Sequence, residues 1–284
     1  MIQYLYLGRV AYDEGLRLQA EIAGLRFQGR VENVLLLLEH PPVLTLGRNA
    51  DRSNVLASAE LLARRGVTVH EINRGGDVTY HGPGQLVGYP IFDLRSLRGP
   101  NGGRMGPVDF VRLMEEALIR LCGQFGVPAG RIPGLTGVWC GPADGGPLHE
   151  GGGREPARKI GAIGIHVARG ITSHGFAFNV TTDLRDFELI VPCGIPDHPV
   201  TSLVREVPRP DELPNLEAIA HQAARQFGLV FDQQVLAVES LAALRAQAED
   251  APVKAPEFPA EDTPMQVPPE VERLRGTGDR PVRA

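Results

Sequence analysis

The stretch Lys159-Ile-Gly-Ala-Ile-Gly-Ile-His-Val-Ala-Arg-Gly-Ile-Thr-Ser-His-Gly-Phe-Ala-Phe-Asn-Val180 decides the fold. It holds two β-rich runs, 159–167 and 171–180, separated by little more than Arg169-Gly170. So short a connection is a hairpin turn, and the two strands it joins are antiparallel. Elsewhere strands and helices interleave, so the chain is neither all-β nor a regular doubly wound parallel fold. The expectation is an α+β protein: a mixed β-sheet flanked by helices.

Upstream of the hairpin, alternation over Gln3–Leu7 predicts a strand. Leu16, Ala20, Ala23 and Phe27 at helical spacing predict a helix over Tyr12–Phe27 that stops near Gly29. Val34–Glu39 and Val43–Leu46 read as strands, Ser58–Arg65 as a short capped helix, and Val67–Asn73 as another strand. A glycine-rich loop over Arg74–Gly84 leads into an apolar strand, Gln85–Asp93. Pro107 opens a helix whose core face is read as Val108, Val111, Met114, Ala117, Leu118, Leu121, Cys122 and Phe125. Gly137–Cys140 is a short strand. Downstream of the hairpin, helices are expected over Asn215–Phe227 and Val235–Ala248. One folded domain is therefore expected over 1–248, interrupted by a glycine-rich insert at 141–155. The last 36 residues hold seven prolines and a single aromatic, Phe258, and read as a disordered tail over 249–284.

Charge and cysteine usage exclude several classes. The 29 Lys plus Arg against 34 Asp plus Glu give a net charge of -5, which argues against coating nucleic acid through bulk charge. The longest apolar run, Val34–Leu38, is too short to span a membrane. The N-terminus lacks the charged and apolar regions of a signal peptide. Cys122, Cys140 and Cys193 form no C-x-x-C pair, so no zinc or other metal site is expected, and sparse thiols fit a cytoplasmic setting.

Three segments carry candidate chemistry. Arg74-Gly-Gly-Asp-Val-Thr-Tyr-His-Gly-Pro-Gly-Gln85 has glycines that permit close backbone approach to a ligand, but it is neither a P-loop nor a dinucleotide fingerprint. Lys159 opens an apolar strand in a chain with only two lysines, the other being Lys254; the remaining 27 basic residues are arginines. Lysine offers a compact charge that can exchange its proton, which arginine does not. Cys193 sits in a Pro192-Cys-Gly194 turn, whereas Cys122 on a helix face reads as a small core hydrophobe. Because the thiolate is the reactive form, a cation such as Lys159 would activate Cys193 if the two met.

Taken in order, Arg-Gly-Gly-x-Val-Thr-Tyr-His-Gly-Pro-Gly-Gln, Lys-Ile-Gly-Ala-Ile-Gly, Thr172-Ser-His-Gly-Phe-Ala-Phe-Asn-Val180 and Pro192-Cys-Gly resemble the lipoyl(octanoyl) transferase family, over roughly Tyr4 to Gly228. The resemblance implies the biotin/lipoate protein ligase-like fold (class II aminoacyl-tRNA synthetase/biotin synthetase-like). It implies Cys193 as the acyl-thioester nucleophile and Lys159 as the cation that favours its thiolate. Substrate binding would fall to Arg74, Gly75, Gly76, Asp77, Val78, Thr79, Tyr80 and His81, to Ala162, Ile163 and Gly164, and to Gly175, Phe176 and Ala177. Ile163 and Phe176 would line an acyl slot, Tyr80 and His81 would orient groups, and His81 is also a candidate general base. Backbone N–H groups near Gly164 or Gly194 are candidates for the oxyanion. Asp77 stands where many relatives carry Gln or a basic residue, so its side chain is expected to be dispensable.

The implied reaction moves an octanoyl group from the phosphopantetheine arm of acyl carrier protein to a lysine of apo lipoyl domains, those of 2-oxoacid dehydrogenase complexes and the glycine cleavage H protein. No cofactor of the enzyme's own is expected, and a monomer is. Arg48, Arg64, Arg65 and Arg158 are candidates for docking the acidic carrier. Two alternatives are an ATP-dependent lipoate or biotin protein ligase and a non-catalytic lipoyl-domain or acyl-carrier binding module.

Overall fold

A computed structural model describes residues 1–100, 102–141 and 156–251. In chain order its elements are β1 (Ile2–Arg9), α1 (Tyr12–Phe27), β2 (Asn33–Glu39), β3 (Val43–Leu46), α2 (Ala59–Arg64), β4 (Thr68–Glu71), β5 (Val78–His81), β6 (Gln85–Ile91), α3 (Pro107–Gln124), β7 (Ala129–Ile132), β8 (Leu135–Cys140), β9 (Arg158–Ala168), β10 (Ile171–Asn179), α4 (Leu203–Glu206), α5 (Leu216–Phe231), β11 (Val235–Ala237) and α6 (Leu241–Asp250). Most of the insert, 142–155, and the tail from 252 on lie outside the described residues.

The 159–180 hairpin forms as β9 and β10, which pair antiparallel from Ile171↔Ala168 to Phe178↔Gly161. It sits inside a sheet of eight described strands in the order β11-β1-β2-β6-β10-β9-β8-β7. The β11–β1 and β1–β2 pairs are parallel and the others antiparallel, so the sheet is mixed. Strand β2 shows why it is buried on both faces. Leu35 and Leu37 join a core with the buried faces of α3 and α5, while Val34, Leu36 and Leu38 join a second core with α1 and α6. A run apolar at every position is what a strand covered on both sides requires.

Local signals set the helix ends. Pro107 starts α3, where its missing N–H has no intrahelical partner to lose. Asn215 Oδ1 accepts from Ala218 N at 2.9 Å, and Ser240 Oγ accepts from Ala243 N at 3.1 Å. A smaller sheet, β4-β3-β5, lies over its own core of Leu44, Leu46, Val78, Tyr80 and Phe187.

Three expectations need correction. Val78–His81 is a strand rather than part of a loop, because it pairs antiparallel with β3 from Val43↔His81 to Leu46↔Val78. Val108 is 71% exposed, and Phe110 occupies the core in its place. The stretch Val235–Ala248 is not one helix: Val235–Ala237 pairs with β1 as an edge strand, Ser240 caps α6, and α6 runs to Asp250.

Candidate active site

A pocket of about 310 Å³ opens where the small sheet, the β9–β10 hairpin and two loops meet. Each wall follows from strand periodicity or a turn. On β5 the period of two turns Thr79 and His81 toward the pocket and sends Val78 and Tyr80 into the small-sheet core. Tyr80 therefore does not reach the pocket; its hydroxyl donates to Asp186 Oδ2 at 2.7 Å. On the large sheet, Ala162 and Ala177 are cross-strand partners, and both line the pocket. Gly164 lets the Arg74–Asp77 loop lie on the sheet: Gly75 N donates to Ile165 O at 3.0 Å, and a Cβ on residue 164 would come within 2.6 Å of Gly75 O.

Of the residues the resemblance implies, Arg74, Gly75, Gly76, Asp77, Thr79, His81, Lys159, Ala162, Ile163, Gly164, Ala177 and Cys193 line this one pocket. Val78, Tyr80, Gly175 and Phe176 do not. Phe176 is 3% exposed and stacks on Phe227 with ring centroids 5.5 Å apart, on the α3–α5 side of the sheet. Gly134, in the turn between β7 and β8, and Leu135 and Thr136, at the start of β8, form a wall that sequence reasoning missed, as does Ile195. The Gly134-x-x-Gly137 pattern, running from the turn into β8, is the available signal.

Cys193 lies in a one-turn 3₁₀ segment, Pro192–Gly194, with φ 58 and ψ 16. This left-handed conformation is uncommon for a residue with a Cβ and persists only where the surroundings enforce it. Here they do. Val191 N donates to Asn54 O at 2.7 Å, and Gly194 N donates to Val191 O at 3.1 Å, which commits that N–H to the turn. The Asp77 carboxylate is the node: Oδ2 accepts from Asn54 Nδ2 at 2.6 Å, and Oδ1 accepts from Val78 N at 2.6 Å and Asp51 N at 3.1 Å. A Cβ on residue 194 would meet Asp77 Oδ2 at 2.5 Å.

Cys193 is half-buried, while Cys122 and Cys140 are buried. Burial pushes the Cys122 thiol well above its ordinary value and Cys140 to about 12. Both stay protonated at neutral pH, and neither lines the pocket.

Two cations face the same space. Lys159 is 6% exposed, and its backbone is fixed by Lys159 N donating to Pro199 O at 2.8 Å and Thr201 N donating to Lys159 O at 2.9 Å. Its Nζ lies 4.6 Å from the centroid of the Trp139 ring and has no carboxylate within salt-bridge distance among the described residues. Arg74, 9% exposed, also lacks a carboxylate partner there; Nη2 donates to Thr45 O at 2.7 Å and Thr45 Oγ1 at 2.9 Å, and Nη1 to Gly75 O at 3.0 Å. Burial lowers the Arg74 guanidinium from its ordinary value, and the charges of Cys193, Tyr12 and Asp77 oppose that shift. Buried cations without a carboxylate partner are unfavourable by themselves, and negative charge in the pocket would offset that cost.

The His81 ring is held in one tautomer. Asn179 Nδ2 donates to Thr201 O, so Asn179 Oδ1 accepts Gln85 Nε2 at 2.9 Å. Gln85 Oε1 then accepts His81 Nδ1–H at 2.8 Å. His81 Nε2 is left as an acceptor, facing the Thr45 hydroxyl at 3.4 Å. Burial, with His40 adding to it, pushes His81 down to about 3, so it is neutral at pH 7 and a poor general base. Among the docking candidates, Arg65 pairs with Asp186 at 3.0 Å and Arg158 with Glu206 at 2.8 Å, while Arg48 and Arg64 are exposed.

No helix among the described residues is long and apolar enough to cross a membrane. Residues 11–228 match the family model for the lipoyl protein ligase A/B catalytic domain. The octanoyltransferase of Acidobacterium capsulatum is 60% identical over 241 residues, 84% of this chain and 94% of that one. The octanoyltransferase of Koribacter versatilis is 51% identical over 257 residues, 90% of this chain and 95% of that one. A solved bi-partite lipoate protein ligase from Thermoplasma acidophilum shares the fold, with TM-score 0.59 at 15% identity over 88% of this chain and 91% of that one. The chain therefore belongs to the octanoyltransferases of the lipoyl protein ligase A/B catalytic-domain family.

Proposed function

We propose that this octanoyltransferase works by covalent relay through Cys193, taking octanoyl from acyl carrier protein and giving it to a lysine of an apo lipoyl domain. The observation that carries the reading is the pocket itself. It receives an accessible cysteine held in a left-handed turn and a buried lysine with no carboxylate partner among the described residues.

The Lys159 ammonium favours the Cys193 thiolate by charge. The thiolate attacks the thioester carbonyl on the carrier's phosphopantetheine arm. The tetrahedral intermediate collapses with cleavage of the bond to the carrier sulfur, which leaves as thiolate and takes a proton from solvent. Octanoyl-S-Cys193 remains. After the carrier departs, the neutral amine of the target lysine attacks the same carbonyl. The amide forms, its nitrogen loses a proton to solvent, and Cys193 leaves as the thiolate that began the cycle. Two large partners thus use one pocket in turn. Lys159 and Arg74 supply fixed positive charge where the oxyanion develops. The Ala162–Ala177 floor with Ile163, Leu135 and Ile195 offers an apolar lining for the acyl chain.

A thioester is already activated, so the relay uses no ATP and no cofactor of its own. The reading places the enzyme in the cytoplasm, acting as a monomer on lipoyl domains of 2-oxoacid dehydrogenase complexes and the glycine cleavage H protein. Transfer from purified octanoyl carrier protein to an apo lipoyl domain without ATP tests it. A strict requirement for ATP and free octanoate would replace it with the ligase reading.

A further inference from the structure

Glu115 takes no part in the chemistry above, yet it is 0% exposed in the middle of α3. Its Oε2 accepts from Arg112 Nη1 at 2.7 Å and from Arg131 Nε at 3.0 Å. Both arginines are partly exposed, and an ion cluster built on one buried carboxylate is weak evidence of a stabilising role, since apolar replacements often do as well. Its other oxygen points to a different purpose. Oε1 accepts the backbone N–H of Gly137 at 3.0 Å, on β8.

Gly137 stands against Lys159. Its φ is +134, a conformation open to glycine, and a Cβ there would lie 3.1 Å from Lys159 Cε, 3.6 Å from Lys159 Nζ and 2.7 Å from Gly161 O. The next residues complete the arrangement. The β8–β9 register shifts between Val138 and Trp139, from Val138↔Gly161 to Trp139↔Lys159, so Trp139 lies opposite the lysine. The indole lies 4.6 Å from the ammonium, and its own Nε1 donates to Leu135 O at 3.3 Å. The β7–β8 hairpin is thus the cradle of the Lys159 ammonium. Glu115 ties that cradle to α3 at Gly137, and Arg131 ties it again from β7, with Nη2 donating to Arg112 O at 2.9 Å.

We infer that Glu115 is a positioning residue for Lys159: clamped by Arg112 and Arg131, its carboxylate fixes Gly137 and the β8 irregularity so that the ammonium is held toward the Cys193 pocket. This rests on the reading of Lys159 as the cation that favours the Cys193 thiolate.

The test is the rate at which iodoacetamide alkylates Cys193 in the full chain at pH 7, located by peptide mass, with folding checked by circular dichroism. Lys159→Ala slows it. Glu115→Ala slows it about tenfold, equivalent to ~1.4 kcal/mol less stabilisation of the anion. In the Lys159→Ala background Glu115→Ala adds no further slowing, because it acts through the lysine. Arg131→Met, at a partly exposed side chain, slows alkylation less and gives the same non-additivity should Glu115→Ala fail to fold. Wild-type alkylation in folded Glu115→Ala or Arg131→Met, or an equal slowing with and without Lys159, overturns the inference. Wild-type alkylation in Lys159→Ala overturns the reading beneath it, and the inference with it.

Discussion

The two halves of the pocket are held in place by different means. On the sheet half, Lys159, Ala162 and Ala177 sit at fixed register positions of β9 and β10, set by backbone pairing on both sides. On the loop half, Cys193 depends on side chains: Asp77 and Asn54 brace a turn whose own conformation is unfavourable. The lesson is that main-chain pairing fixes the binding floor and side-chain contacts fix the nucleophile's turn, although both face one cavity. The same contrast separates the cysteines. Those packed in regular elements are kept as thiols by burial, and the one in the strained turn meets the pocket.

The largest effect is expected on the loop half. Cys193→Ser should reduce transfer to background, while Cys122→Ser and Cys140→Ser retain turnover; loss of activity in either of those two with Cys193 intact would erase the distinction among cysteines. Next comes the sheet half, where Lys159→Arg preserves charge but not the compact ammonium over Trp139. We predict a fall in kcat of roughly 10²-fold or more, with unaltered melting, and near-normal turnover would remove Lys159 from its role.

A smaller change should follow from Asp77→Ala, which removes three hydrogen bonds from the brace. The expected loss in kcat is about tenfold, the scale of one or two partly buried hydrogen bonds to a charged group. KM for the carrier should move little, and Asp77→Asn should recover part of the loss. Equal activity in wild type and Asp77→Ala would show that the turn holds itself and that the side chain is dispensable.

The smallest effect at neutral pH concerns stability. His40 is completely buried, with Nδ1–H donating to Val10 O at 2.6 Å and Nε2 accepting from Tyr89 at 2.7 Å. Burial pushes His40 and His174 down to about 4, and the nearby His70 and Arg74, respectively, add to this. A histidine kept neutral in the fold takes up fewer protons than in the unfolded chain, whose value is near 6.5. Stability is therefore full above pH 6.5 and is lost as pH falls toward 4, over a window that His81 extends to about 3. Thermal melts between pH 7 and pH 4.5 should show Tm falling with acid. His40→Asn, which removes one titrating group, should flatten the slope, and an unchanged slope would mean that His40 is charged in the fold.

The two halves also differ in how far sequence reveals them. The hairpin is readable because β-rich runs flank an Arg-Gly turn, and Lys159 because lysine is so rare in this chain. Cys193 is readable from the proline and glycine beside it. Val78–His81 was hidden: glycines on both sides masked four residues whose alternation marks a strand. Val108 is misread because the helical stripe starts from the first apolar residue after Pro107, whereas the buried face begins two residues later, at Phe110. Thr45, Asn54 and the tie from Glu115 to Gly137 are illegible in principle, because each joins an ordinary polar residue to a partner far along the chain that arrives only through sheet pairing or helix docking.

The relay through Cys193 is tested most directly by intact-mass spectrometry of the enzyme incubated with octanoyl carrier protein and no acceptor. The account predicts a mass increase of one octanoyl group, mapped to the Cys193 peptide, absent in Cys193→Ser and discharged on adding an apo lipoyl domain. A wild-type enzyme that turns over but never carries the adduct, or carries it at another residue, would contradict it.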